Sequence, residues 1–140
     1  METTVIESRL QKKGVKPTAN RITVFRTLSE MQGPVSLSDL EDRLPTLDRS
    51  SIFRTLTLFL EHHLLHSIED GSGSLKYEMC GNDDDCSIDD MHVHFHCEVC
   101  GKTYCFEDLH IPSVDLPSGF IPRSVNYVVK GICDSCKNKQ

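Results

Sequence analysis

The 140-residue chain has no apolar run approaching the ~18–20 residues that a membrane-spanning helix needs. Its opening Met1-Glu2-Thr3-Thr4 is polar and acidic, unlike the basic, then apolar, start of a secretory leader. A cytoplasmic protein with no membrane partner is expected. The chain also lacks the overall positive charge common in nucleic-acid binders, since the formal net charge is −6. The total conceals an asymmetry. Residues 1–60 carry nine Lys/Arg against seven Asp/Glu, whereas residues 61–140 carry six against fourteen. A basic front and an acidic back suit a DNA-contacting lobe joined to a cation-binding one. No H-E-x-x-H stretch is present. A zinc hydrolase or deaminase would need an open metal position and a general acid/base. Glu78 or Glu98 could supply the carboxylate, but a winged helix would then have no purpose. The acidic run Asp83-Asp84-Asp85 lacks EF-hand spacing and reads as a solvated loop.

Cysteine is abundant, with seven in the chain. Without a secretory leader they read as metal ligands in a reducing compartment, not as disulfides. Four fall into two pairs, Cys97-Glu98-Val99-Cys100 and Cys133-Asp134-Ser135-Cys136. Each C-x-x-C lets two thiolates reach one ion, and two pairs complete a closed tetrahedral zinc site. Gly101 and Gly131 supply turn residues beside the pairs. A redox dithiol is the rival for either pair alone, but no βαβ pattern surrounds them. Residues 101–132, between the pairs, exceed the loop of a zinc ribbon, so a small sheet is expected there.

The front half reads as short helices followed by a hairpin. Residues 2–13 carry Val5, Ile6 and Leu10, a first helix broken at Gly14-Val15-Lys16-Pro17. Thr18 caps a second running through Met31, with Ile22, Phe25 and Leu28 at helical spacing. Ser36, with Asp39 three residues on, starts a third that ends near Leu44, before Pro45. Asp48 or Ser50 caps a fourth that buries Ile52, Leu56, Phe59 and Leu60. Residues 64–69 and 75–79 are strand-like and joined by Asp70-Gly71-Ser72-Gly73, a hairpin turn. This order describes a winged helix-turn-helix whose fourth helix enters the major groove. The outer face of that helix offers Arg49, Ser50, Ser51, Phe53, Arg54 and Thr55. Arginine can read guanine bidentately, hydroxyls can hold phosphates, and Phe53 could meet a thymine methyl or pack inward. Arg21 is a further phosphate contact. A winged-helix adaptor for protein partners is the competing reading, and the arginines of the fourth helix argue against it.

The segment following the wing is dense in ligand types: Glu78, Cys80, Cys86, His92, His94, His96 and Cys97. If His92–His96 is a strand, its three imidazoles share one face. A histidine row beside thiolates suits a second transition-metal site.

Together these residues resemble the ferric-uptake-regulator family of metal-responsive transcriptional repressors. The resemblance covers nearly the whole chain. It is carried by Gly14-Val15-Lys16-Pro17-Thr18 with Arg21, by Ser51-Ile52-Phe53-Arg54-Thr55 and by Lys76-Tyr77-Glu78. Residues 92–102 and the closing Gly131-Ile132-Cys133-Asp134-Ser135-Cys136 complete it. It implies an α+β homodimer. A winged-helix DNA-binding domain (1–80) and a hinge loop (81–91) would precede a small α/β dimerisation domain (92–140) stapled by Cys₄ zinc. It also implies a regulatory metal at the hinge, an inverted-repeat DNA operator and control of metal-uptake genes. The regulatory ligands expected are Glu78, Cys80, His92 and His94, with His66, Cys86 and Cys105 in reserve.

Iron and peroxide sensors of the family place a histidine shortly after the second helix and a carboxylate five residues beyond the second cysteine of the first pair. Here those places hold Gly33-Pro34-Val35 and Cys105. Leu65-His66 and Tyr77-Glu78-Met79-Cys80 look like the zinc-uptake branch. Thiolates in place of oxygen donors favour Zn(II) over Fe(II), and a thiolate beside iron would invite oxidation. Zn(II) is the expected effector, with an Fe(II)- or peroxide-sensing regulator, or Mn(II), as the alternative. Two features depart from the family's pattern. Prolines 112, 117 and 122 leave no room for a long helix after the first cysteine pair, and residues 124–129 contain no histidine.

Overall fold

The computed structural model describes residues 2–31, 33–79, 92–122 and 125–138. Cys80 and Cys86, two of the expected ligands, and the expected hinge loop lie outside the described residues. The order is α1 (Thr3–Lys12), α2 (Ala19–Glu30), β1 (Val35–Ser36), α3 (Leu37–Arg43), α4 (Arg49–Glu61), β2 (Leu65–Ile68) and β3 (Lys76–Met79). β4 (His92–Cys97), β5 (Thr103–His110) and β6 (Val128–Gly131) follow.

Local chemistry sets the helix starts. The Thr18 hydroxyl accepts the Arg21 amide of α2 at 3.3 Å. Ser36 and Asp39 form a reciprocal capping box at the start of α3: the Ser36 hydroxyl accepts the Asp39 amide at 3.1 Å, and the Asp39 carboxylate accepts the Ser36 amide at 3.0 Å. Asp48 occupies the N-cap position of α4, but its carboxylate accepts the Ser51 hydroxyl instead of a backbone amide. That bond lowers the Asp48 carboxyl from its ordinary range.

The helices bury one continuous apolar face. Ile6, Leu10, Val24, Phe25, Leu40, Ile52, Leu56 and Phe59 are fully buried in one cluster. Phe25 and Phe59 meet edge-on at 6.1 Å between ring centres, a geometry favoured by the aromatic quadrupole. Burying each such side chain contributes roughly 1.5–3 kcal/mol relative to leaving it exposed.

The wing is a three-stranded antiparallel sheet in the order β1-β3-β2. The two-residue β1, which pairs Val35 with Tyr77, is too short to announce itself by alternation in the sequence. The second sheet has the order β5-β4-β6, with β4 antiparallel to β5 and parallel to β6. No helix interrupts residues 98–122, in keeping with the prolines there. The fold is α+β, a winged helix followed by a small lobe that carries the four-cysteine cluster.

A polar seam joins the wing to the second sheet. Asp70, in the turn after β2, is 1% exposed. It accepts the Thr103 hydroxyl at 2.6 Å and the Ser72 amide at 3.0 Å. Lys76 Nζ stands 3.4 Å and His96 Nδ1 3.5 Å from the same carboxylate. Burial works against the Asp70 charge, but the hydrogen bonds from Ser72 and Thr103 and the Lys76 ammonium outweigh it and hold the carboxyl well below its ordinary range. Asn126 donates to the Glu69 carbonyl at 2.6 Å. Gly71, at φ +83°, lies so close to Lys130 that a Cβ would meet its Nζ at 2.0 Å. The left-handed backbone calls for glycine, whereas the flexible Lys130 side chain could swing aside.

Candidate metal centre and nucleic-acid interface

The two C-x-x-C pairs converge. The Sγ atoms of Cys97, Cys100, Cys133 and Cys136 all lie within 4.8 Å of one another. Cys100 and Cys133 are 3.9 Å apart, close to the ~3.8 Å separation of sulfurs around tetrahedral zinc with Zn–S bonds of about 2.3 Å. The amides of Cys100 and Cys133 each approach Cys97 Sγ at 3.4 Å. Gly101, at φ +79°, turns the chain after the first pair. Glu98 N donates to the Gly131 carbonyl at 2.8 Å, tying one knuckle to the other.

The acidities within this cluster diverge. The amide donors of Cys100 and Cys133 lower the Cys97 thiol to about 6. The Tyr104 hydroxyl lowers Cys133. Cys136, hydrogen-bonded to Cys133, is pushed up to about 12. Neighbouring thiolates resist joint ionisation without a cation, and a dication removes that resistance. Donor set and spacing fit a structural zinc.

A second convergence lies where the wing meets the second sheet. His66 on β2, Glu78 on β3 and His94 on β4 bring their ligand atoms within 4.8 Å of one another. His66 and Glu78 are cross-strand partners, with Nε2 3.1 Å from Glu78 Oε2. His94 Nε2 is 2.7 Å from the same oxygen. The His94 side chain is 4% exposed, Glu78 13% and His66 14%. Cys105 stands opposite His94 in the register and also hydrogen-bonds Glu78. Burial would raise the Glu78 carboxyl, but the bonds from His66, His94 and Cys105 prevail and hold it well below the ordinary range. Two imidazoles and one carboxylate converge, with the Cys105 thiol beside Glu78, and nitrogen, oxygen and sulfur donors of these kinds are the ones zinc takes.

The histidine row is not brought to this point as a unit. The β4–β5 register shifts between His92 and Val93, where the extra residues lie on β5 between Phe106 and His110. The His92 ring lies 5.2 Å from that of His110, its cross-strand partner. His96 Nδ1 lies 3.0 Å from the Thr103 hydroxyl, in the Asp70 seam. His66, a reserve ligand in the sequence reading, stands in the converging group. Asp70 and Thr103 escaped sequence reasoning: Asp70 read only as a turn residue, and Thr103 showed no signal.

On the helical side, Thr18, Asn20, Arg21, Ser51, Arg54, Thr55 and Leu58 line an open groove of about 390 Å³ between the start of α2 and the outer face of α4. Ser50 and Arg54 are exposed, and Phe53 is 50% exposed. Other residues of the expected contact set have internal partners. Arg21 Nη1 donates to the Lys16 carbonyl at 2.9 Å. Arg49 pairs with Glu41 at 3.3 Å. Thr55 is 8% exposed and donates to the Ser51 carbonyl at 2.9 Å. Among the described residues no helix is long and apolar enough to cross a membrane.

Comparison with known proteins agrees with this architecture. The chain is 24% identical over 142 residues to the peroxide operon regulator of Bacillus subtilis, covering 94% of this chain and 90% of that protein. It is 26% identical over 144 residues to the ferric uptake regulation protein of Campylobacter jejuni, covering 94% and 85%. Among solved structures, a zinc uptake regulator complexed with zinc and DNA superposes with a TM-score of 0.64 at 22% identity, over 98% of this chain and 93% of that one. The ferric uptake regulator from Pseudomonas aeruginosa with manganese gives 0.64 at 20%, over 93% and 98%. Residues 12–116 match the ferric uptake regulator family, and the chain belongs to that family of metal-responsive regulators.

Proposed function

We propose that the protein is a zinc-responsive transcriptional repressor that controls metal-uptake genes from an inverted-repeat operator as a cytoplasmic homodimer. The observation that carries this reading is the meeting of His66, Glu78 and His94, with Cys105 hydrogen-bonded to Glu78. The wing supplies His66 and Glu78, and the second sheet supplies His94 and Cys105. One ion held by both groups would tie residues 1–80 to residues 92–140 and set the spacing of two α4 helices in a dimer. Cys80, just beyond Glu78 in sequence, is a further thiol within the same stretch of chain. Zn(II) is favoured over Fe(II) and Mn(II) because a thiol and two imidazoles are softer than an all-oxygen set. The Cys₄ cluster would hold a separate, closed zinc that stabilises the second lobe and takes no part in sensing.

In a dimer, each α4 would present Arg54, Phe53 and Ser50 to one half-site, with the groove hydroxyls and Arg21 toward phosphates. The regulatory ion acts through differential affinity: it binds the closed arrangement more tightly and so raises its population. Operator binding measured anaerobically in zinc-buffered, Fe(II)- and Mn(II)-containing solutions tests this. Tight binding switched on by buffered Zn(II) at sub-nanomolar free levels is expected. Activation by Fe(II) or Mn(II) with no response to Zn(II) would replace the zinc reading with an iron- or peroxide-sensing one.

A further inference from the structure

The wing and the second sheet meet along two neighbouring rungs. On β4 and β5, His94 pairs with Cys105 and His96 with Thr103. These pairs are two residues apart, so they share one face of the sheet, about 7 Å from each other. β3 answers with the same period. Its Lys76 and Glu78 are two residues apart and pair with Ile68 and His66 of β2. Glu78 reaches His94 at 2.7 Å. Lys76 reaches Asp70, which accepts the Thr103 hydroxyl and stands beside His96. One rung is therefore Glu78 with His66, His94 and Cys105. The other is Asp70 with Lys76, Thr103 and His96.

The rungs differ in what completes them. In the Asp70 rung the chain supplies every partner. The carboxylate is 1% exposed. It accepts the Thr103 hydroxyl at 2.6 Å and the Ser72 amide at 3.0 Å, with Lys76 Nζ at 3.4 Å. Thr103 in turn lies 3.0 Å from His96 Nδ1. An ammonium already balances the carboxylate, so this rung forms without a metal ion. In the Glu78 rung two imidazoles crowd one carboxylate oxygen, at 3.1 and 2.7 Å, an arrangement that a dication would complete.

We infer that Asp70 is a positioning residue for the regulatory ion proposed above, a reading on which this inference rests. By docking the wing on Thr103 without a metal, it holds His66 and Glu78 against His94 and Cys105 before the ion arrives. A metal site tolerates donor distances only within about 0.2 Å of ideal, and two sheets joined at one rung alone can pivot. When only a fraction of the molecules has the donors assembled, the apparent dissociation constant rises by the inverse of that fraction. Once bound, the ion ties the two lobes itself. The Asp70 contact therefore bears on metal affinity and not on operator binding by the metal-loaded protein.

The test is a Zn(II) titration of the full chain with its Cys₄ zinc retained, run in competition with a chelator, on the wild type, Thr103→Val, Thr103→Ser and Asp70→Ala. Operator DNA is then titrated at saturating Zn(II). Thr103→Val keeps the side-chain shape and removes the hydroxyl that Asp70 accepts. Thr103→Val and Asp70→Ala should bind the second zinc equivalent at least tenfold more weakly, and Thr103→Ser should bind it as the wild type does. At saturating Zn(II) Thr103→Val should bind the operator like the wild type. An unchanged affinity for the second equivalent in Thr103→Val would overturn the inference, leaving the seam a purely stabilising contact and the zinc-responsive reading intact. So would an operator affinity in Thr103→Val that stays low at saturating Zn(II), the mark of a damaged fold. Absence of a second equivalent from the wild type would instead refute the zinc-responsive reading, and this inference with it.

Discussion

Glu78 and Asp70 do similar physical work at two points of one seam. Each is a carboxylate on the wing with little exposure, and each is kept ionised by donors from both the wing and the second sheet. Asp70 holds Thr103, the Ser72 amide and Lys76. Asp70→Ala should cost about 1–3 kcal/mol, because the buried donors lose their acceptor, and urea unfolding at neutral pH measures it. The pH dependence has a definite sign. A carboxyl lowered by folding contributes stability above its unfolded pKa of 3.8, and that contribution is lost as pH falls toward the lower folded value. The stability gap between wild type and Asp70→Asn should therefore narrow on acidification below about pH 4. A gap that widens there would contradict the assignment. Cys97→Ser removes a buried thiol of the Cys₄ cluster whose acidity its amide donors raise. It should release one zinc equivalent per chain and lower the melting temperature. Retention of full zinc content, measured by elemental analysis, would contradict a structural zinc there.

At the scale of elements, α4 has two faces with separate duties. Its inner face places Ile52, Leu56 and Phe59 in the core, and Phe59→Ala should destabilise by about 3–5 kcal/mol. Its outer face carries Arg54, exposed beside the groove shared with α2. Arg54→Ala should weaken specific operator binding about tenfold or more, since a base-reading arginine is worth roughly 1–3 kcal/mol. Its melting temperature should hardly change. Equal loss on specific and random DNA would instead make Arg54 a phosphate contact. Arg49 is paired with Glu41, so its substitution should matter less than that of Arg54. The β4–β5 ladder sets His94 opposite Cys105 and, beyond a register shift in β5, His92 opposite His110.

At the scale of the whole molecule, two properties remain to be read in solution. The second lobe exposes Tyr127, Val129 and Ile132 at 41–43% each, with Phe120 at 66% and Ile121 at 83%. So much apolar surface on a small lobe calls for a partner, and a second copy related by twofold symmetry is the simplest closed solution. Sedimentation should give a dimer at micromolar concentration, and a metal-loaded monomer would refute this. Metal and DNA should also be coupled across the seam. Coupling of ~1–3 kcal/mol corresponds to a 5- to 150-fold gain in operator affinity on metal binding. His94→Ala should abolish that gain while leaving the Cys₄ zinc in place, read by titrating operator DNA with and without Zn(II).

Much of this was legible in the chain itself. The helices, their caps at Thr18 and Ser36 and the C-x-x-C pairs are decided within a few residues, where backbone hydrogen bonding and ligand reach are local. Ser51–Thr55, residues 92–102 and the closing cysteine pair pointed to the family before any coordinate did. What the tertiary structure decided is which of the crowded donors share a point in space. His66, Glu78 and His94 lie on three strands in two sheets, and strand spacing says nothing about how two sheets meet. Alternation along residues 92–96 implies one face for three imidazoles, but it does not say that they meet three different neighbours, His110, Glu78 and Thr103. Asp70 looked like one polar turn residue among several. Only the packing of the wing against Thr103 and His96 turned it into a buried anchor, because burial is a property of the assembled fold and not of a residue's neighbours in sequence.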